Sequence, residues 1–213
     1  VDRNLLRMTE ACEGQQRIRQ ANRLVEIELN RRLVSPQVPA PLIELVESGW
    51  KDLMMLCLFR EGEDSRPWDL TLEIIDQLTA RLVPGVPPRE GGLLKVDALL
   101  RLIEKGLSKV HDADGAHQQV VERIGRVLEG DLEQISLRSY QSPDDVSLTE
   151  SGDEIVSADI SPRWLKRARS LKAGQWIERR TEDAIVLLQL AWIASDLSQF
   201  VFASRQGLKA AEM

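Results

Sequence analysis

The densest gathering of chemically capable side chains is His111-Asp112-Ala113-Asp114-Gly115-Ala116-His117. Imidazoles and carboxylates crowded within seven residues are a ligand set for a transition metal. These are also the only two histidines, so a His-Asp phosphohydrolase site lacks its upstream histidine. The same segment suits a break between two helices, with Gly115 for the turn and Asp112 or Asp114 as a cap. We therefore expect no metal and no cofactor. Cys12 and Cys57 lie on apolar helical stripes, which marks them as buried, inert thiols. The carboxylates are scattered over solvated helix faces, and no pair stands apart for acid–base work. Arg163, Lys166, Arg167 and Arg169 with Trp164 make a basic patch. It is too short, in a chain otherwise acidic, for a nucleic-acid surface. No catalytic residue emerges, and the chain is expected not to be an enzyme.

The elements that carry these residues follow from composition and pattern. The chain has 213 residues, 43% of them hydrophobic and only 4% aromatic. That is enough for one or two soluble domains, with Leu, Ile and Val cores of the helical kind. The longest apolar stretch, Ala184 to Ala194, has 11 residues and is interrupted by Gln189. A membrane-spanning helix needs about 20, so no membrane insertion is expected. The N-terminus runs straight into a charged helical pattern, which is no signal peptide. Two cysteines make no disulfide framework and point to a reducing cytoplasm. The chain begins at Val1 and stops at Met213 just after a strand-like run, which reads as a piece of a longer protein.

The net charge of −6 is unevenly spread. Residues 1–135 carry a net of −5, and residues 136–160 carry another −5 with Arg138 as their one basic group. Residues 161–213 carry nine basic and five acidic groups, a net of +4. The middle stretch is rich in Ser and Asp and has too little apolar surface to offset its ordering entropy. Three parts follow: a helical domain at 1–135, an acidic flexible linker at 136–160, and a small β-rich unit at 161–213.

Periodicity gives about five helices in the first part. Arg3 to Val34 places Leu5, Met8, Cys12, Ile18, Val25 and Leu29 near one stripe, mostly at steps of three, four or seven. Ser35-Pro36 ends this helix. A second runs from Pro39 through Trp50 to Leu58, and a third starts at the cap Ser65. A fourth covers Leu93–Val110, and a fifth follows Gly115. In the third part Ser161-Pro162 opens a short basic helix through Arg169. Three strand-like runs come next, at 175–180, 184–194 and 199–204, and a fourth begins at Leu208. The 184–194 run is apolar on both faces, so the meander must pack on a helix or close toward a barrel. Trp50, Trp68, Trp176 and Trp192 read mostly as core anchors, with Trp164 half exposed. The fold class is α+β: a predominantly helical bundle, a linker and a small antiparallel meander or partial barrel.

Several segments together resemble a known family. VPAPLIELVESGWKDLMMLCLFREGEDSRPW, LLKVDALLRLIEKGL and the ending LKAGQWIE…LLQLAWIA…QFVFASRQGLK look like the C-terminal part of the bacterial "domain of unknown function" family 1631. The resemblance implies no established activity. Some members carry a thymidine phosphorylase label, yet this chain has no Gly-rich phosphate loop and no alternating strand–helix pattern. The C-terminal meander also resembles a degenerate PilZ domain, a small barrel that binds cyclic di-GMP in many bacteria. That likeness rests on Arg163 and Arg167 in an R-x-x-x-R spacing, and on Asp196 and Ser198 in the start of a D-x-S-x-x-G motif whose glycine is Val201 here. It implies two guanidiniums that chelate phosphates. The expected function is a cytoplasmic, non-catalytic regulatory or adaptor module acting by protein–protein interaction or self-association. The alternative is a cyclic dinucleotide receptor.

Overall fold

The computed structural model describes residues 2–33, 38–83, 85–87, 92–110, 116–130, 136–140, 162–180 and 185–212. Its contacts divide the chain into two units, Ala21–Asp144 and Val1–Gln20 with Asp145–Met213. The expected break at Ser35-Pro36, the His111–Gly115 segment, the turn at Thr181–Asp183 and the acidic stretch beyond Tyr140 lie outside the described residues.

The helical unit contains the second part of α1 (Asp2–Arg32), then β1 (Val38–Pro39), α2 (Ala40–Leu45), α3 (Lys51–Glu61), α4 (Arg66–Leu82), α5 (Val96–Leu107), α6 (Ala116–Leu128) and β2 (Leu137–Arg138). Ser65 caps α4 as its sequence suggests: its Oγ accepts from the Trp68 amide at 3.4 Å, and Pro67 sits in the first turn. The core is built from Val25, Leu29, Leu45, Ile75, Leu99 and Ile103 with their neighbours.

The second predicted helix is in fact two. Between α2 and α3 the chain leaves helical geometry at Ser48 (φ −82°, ψ 17°) and Gly49 (φ 114°, ψ 0°). Only glycine takes that second conformation without strain. The Ser48 hydroxyl donates to the Leu45 carbonyl at 3.1 Å across the break. The kink delivers Trp50 to the centre of the unit, where its indole Nε1 donates to the Thr71 carbonyl at 3.3 Å. A side chain at Gly106 of α5 would place its Cβ 2.8 Å from Trp50 Cζ3 and 2.8 Å from Leu53 Cδ2. Glycine at this helix position is therefore a packing requirement, despite its helix cost of about 1 kcal/mol.

Buried polar groups tie the helices together. Arg32 at the end of α1 pairs with Glu28 on its own helix and, through Nε, with Asp76 of α4 at 3.1 Å. Lys51 pairs with the buried Glu26. Gln77 accepts from the Leu94 amide (3.1 Å) and donates to the Gly92 carbonyl (2.8 Å), which holds the lead-in to α5. A short pairing that no local sequence pattern announces joins β1 to β2, with Val38 opposite Arg138 and Pro39 opposite Leu137. The Ala40 amide extends it to the Ser136 carbonyl at 2.8 Å. Residues 136–138, the first of the compositional linker, thus hold a short backbone ladder, because the backbone polar groups of residues 38–40 beside them need partners.

The other unit contains α7 (Pro162–Arg169) and strands β3 (Trp176–Arg180), β4 (Ile185–Ile193), β5 (Phe200–Ala203) and β6 (Lys209–Glu212). All neighbours are antiparallel in the order β3-β4-β5-β6. Among the described residues the sheet is open, not a closed barrel. The helix on which it packs is the start of α1: Met8 and Cys12 lie against Trp192, Ala194 and Val201. The apolar stripe of α1 is therefore divided. Cys12 belongs to this core, Val25 and Leu29 to the helical one, and Ile18 between them is exposed.

Candidate functional site: the exposed ribbon of the C-terminal sheet

The strands differ in length, and that mismatch makes the site. β4 has nine residues and β5 has four. β5 pairs only with Gln189 to Ile193 of β4, whereas β3 pairs with Ile185 to Gln189. The first half of β4 thus lies in a two-stranded ribbon with β3. Ile185 is 62% exposed, Val186 42%, Leu187 36%, and Trp176 on β3 is 49% exposed. This corrects two expectations. The 184–194 run is covered on both faces only in its second half, and Trp176 is no core anchor. Trp50, Trp68 and Trp192 are buried as expected. A two-stranded ribbon with apolar side chains in water is marginal by itself, and such exposed apolar surface marks interaction sites.

A bulge assigns the rest of β4 to its faces. Leu190 lies opposite Phe202 and Trp192 opposite Val201, so Ala191 is the extra residue. The bulge puts Leu190 and Trp192 on opposite faces, where strict alternation predicts one. Leu188, Leu190 and Phe202 pack with Ile177, Phe200 and Leu171 on one side. Trp192 and Val201 meet α1 on the other.

Among the described residues β3 is an open edge of the sheet. Four of its five residues are exposed, among them Glu178, Arg179 and Arg180. Charged side chains along an edge discourage indiscriminate strand addition. Among the described residues neither arginine has a carboxylate partner, while Lys209 on β6 at the other edge is paired with Glu212.

The residues singled out from the sequence fall in two places. Arg163 and Arg167 lie on α7, one helical turn apart, and Arg167 is exposed. The side chains of Arg163 and Trp164 lie outside the described residues. Asp196 and Ser198 sit together in the β4–β5 turn. The Asp196 carboxylate accepts from the Ser198 hydroxyl at 2.7 Å and from its amide at 3.1 Å. Leu197 between them takes φ 59°. The turn is also held by α1, since Gln16 Nε2 donates to Ser195 Oγ at 2.6 Å and the Arg19 guanidinium donates to Gln199. The D-x-S spacing thus has a structural role as a side-chain-bonded turn.

That turn makes a titration prediction. The Ser198 hydroxyl, then its amide and Arg19, hold the Asp196 carboxyl below its ordinary value of 3.8. A depressed carboxyl stabilises the fold above its unfolded value and loses that contribution as pH falls through the lower folded value. The amide resonance of Ser198, followed by NMR, should therefore titrate with a midpoint below 3.8. A midpoint at or above it would remove the turn from this account.

Elsewhere the structure offers little machinery. Among the described residues no group of three His, Cys, Asp or Glu side chains is placed to hold a metal ion. His117 is half-buried on α6, and among the described residues its Nδ1 has no hydrogen-bond partner. Burial pushes the thiols of Cys12 and Cys57 up, which leaves them protonated and unreactive at neutral pH. A groove of about 370 Å³ is lined by Glu44, Glu47, Ser48, Gln119, Val120 and Arg123. Its cation is already engaged, because Arg123 reaches both oxygens of Glu44 at 2.7 Å. No described helix is long and apolar enough to cross a membrane.

A helical unit followed by a small, open antiparallel meander with an apolar ribbon defines an α+β protein of the modular kind. Residues 11–125 match the family model described as the third domain of the protein of unknown function DUF1631. Residues 163–213 match its C-terminal tudor domain. The first match alone covers more than half of the chain, which belongs to the DUF1631 family. The family thus describes the last unit as tudor and not as PilZ. No curated protein and no solved structure matches the chain.

Proposed function

We propose that this chain is a non-catalytic adaptor that works by protein–protein interaction through its C-terminal unit. The carrying observation is the ribbon: Trp176, Ile185, Val186 and Leu187 stand exposed in the domain whose family model is a tudor domain. Two buried free cysteines agree with a cytoplasmic, reducing setting. The regulatory element of this reading lies in partner choice, for which the open charged edge of β3 is suited. The alternative is a cyclic dinucleotide bound by Arg163, Arg167, Asp196 and Ser198. The carboxylate and hydroxyl it needs already bond each other.

The test is site-specific photo-crosslinking in cells. A benzophenone amino acid at Ile185 should give a discrete protein adduct, and the same group at exposed Glu63 of the helical unit should not. No adduct at Ile185 above the Glu63 control would end the adaptor reading. Cyclic di-GMP binding by calorimetry, lost in the Arg163→Ala, Arg167→Ala variant, would replace it with the receptor reading.

A further inference from the structure

The ribbon has an edge as well as faces, and its chemistry narrows the partner. β3 bonds β4 on one side only, so alternate backbone amides and carbonyls of Trp176–Arg180 face outward unpaired by any described strand. Unpaired strand edges accept an extended peptide as an added strand, with the backbone giving affinity and the side chains giving choice. The side chains along this edge change character within one strand length. Trp176 and Ile177 are apolar, Glu178 stands in the middle, and Arg179 and Arg180 close it.

We propose that the β3 edge docks an extended segment of another protein in which two acidic residues precede two apolar ones by about one position. This rests on the adaptor reading and specifies its partner. In antiparallel register, a segment running acid-acid-x-apolar-apolar sets its acids beside Arg180 and Arg179 and its apolar pair beside Ile177 and Trp176. Consecutive strand residues alternate faces. One acid and one apolar side chain therefore fall on the face of Arg180, Trp176, Ile185 and Leu187. The other two fall on the face of Arg179, Ile177 and Val186. Both faces of the ribbon are used, which matches the exposure of Ile185, Val186 and Leu187 in succession. The net charge of +4 on residues 161–213 favours an acidic partner at longer range. A second copy of this chain fits poorly. Antiparallel pairing of β3 on itself about Glu178 sets that carboxylate against its own copy and crowds four arginines on one ribbon, and like charges directly opposite destabilise a strand pair.

The probe is a fluorescein-labelled decapeptide centred on Glu-Asp-Thr-Val-Ile, titrated by anisotropy into the whole chain. We expect saturable binding that weakens at least ~10-fold in the Arg179→Glu, Arg180→Glu variant. These are exposed positions, and retention of the cooperative melt shows the variant folded. The same peptide N-methylated at alternate amides should also lose at least ~10-fold, which a purely ionic contact would not do. Equal binding by the methylated peptide, or by the charge-reversed variant, overturns the proposal. So does binding that appears only after removal of residues 141–158, which would make the chain's own acidic stretch the occupant. An Ile185 crosslink to a protein partner without peptide binding sinks this inference alone. Absence of both sinks the adaptor reading with it.

Discussion

Replacing Trp50 with alanine is expected to lower the unfolding midpoint of the helical unit by about 10 °C. The ring is 1% exposed and sits where α3 begins. Truncating a buried tryptophan to alanine costs about 3–5 kcal/mol, because the cavity collapses only in part. The Thr71 carbonyl also loses its donor at 3.3 Å, which adds about 1 kcal/mol. A chain of this size shifts by roughly 2–4 °C for each kcal/mol. Trp50→Phe should fall between wild type and alanine. The sharper test uses the neighbour. Gly106→Leu alone should destabilise, since even its Cβ meets the indole at 2.8 Å. In the Trp50→Ala background the same leucine enters the vacated space and should recover part of the loss. Such opposite signs require that the two positions share one volume. A thermal melt by circular dichroism reads all four proteins. A shift below about 2 °C for Trp50→Ala, or additive losses in the double variant, would contradict this packing.

The features that made Trp50 central were only partly legible in the sequence. Caps and prolines at helix starts are local, so Ser65 and Pro67 announced α4 directly. The break at Ser48-Gly49 did not announce itself, because the apolar pattern from Leu42 to Leu58 continues through it. A glycine inside such a pattern also fits an unbroken helix, and its positive φ is set by the tertiary position of Trp50. The bulge at Ala191 was hidden for a related reason. Leu190, Ala191, Trp192 and Ile193 are all apolar, so alternation has no contrast there to reveal a slip of register.

The candidate site was the least legible part, yet its origin is simple. Side-chain type placed Trp176, Ile185, Val186 and Leu187 in a core. Their exposure follows from how far β5 reaches along β4, a pairing property that no residue states alone. The one sequence signal was the unequal length of the strand-like runs at 184–194 and 199–204. The partner of Cys12 was likewise beyond local pattern, since Trp192 lies 180 residues away. By contrast the break between the strand-like runs at 184–194 and 199–204 is readable, because the Asp196–Ser198 bonds that hold it join residues two apart.

Arg32→Met is expected to cost about 3–5 kcal/mol, more than any exposed charge of this chain could contribute. The side chain of Arg32 is 6% exposed, and its partners Glu28 and Asp76 are mostly covered. Removing the cation leaves two carboxylates close together in a poorly solvated place, where each was held by the guanidinium. The penalty thus includes, beside the lost attraction, the desolvation of carboxylates that have lost this cation. Three outcomes separate that cause from lost packing, for which methionine largely substitutes. Arg32→Lys should recover only part of the loss, because one compact ammonium on a shorter head cannot approach both a Glu28 and an Asp76 oxygen as the broad guanidinium does. Glu28→Gln with Asp76→Leu in the Arg32→Met background should restore most of the stability, since apolar replacement of a whole buried ionic group is often neutral. The single Asp76→Leu change should cost less than Arg32→Met, because Glu28 still neutralises the guanidinium. Urea titrations give all of these free energies from their midpoints at constant slope. A triple variant no more stable than Arg32→Met would mean that this arginine acts through packing, and the ionic account of how α1 is fixed to α4 would fall.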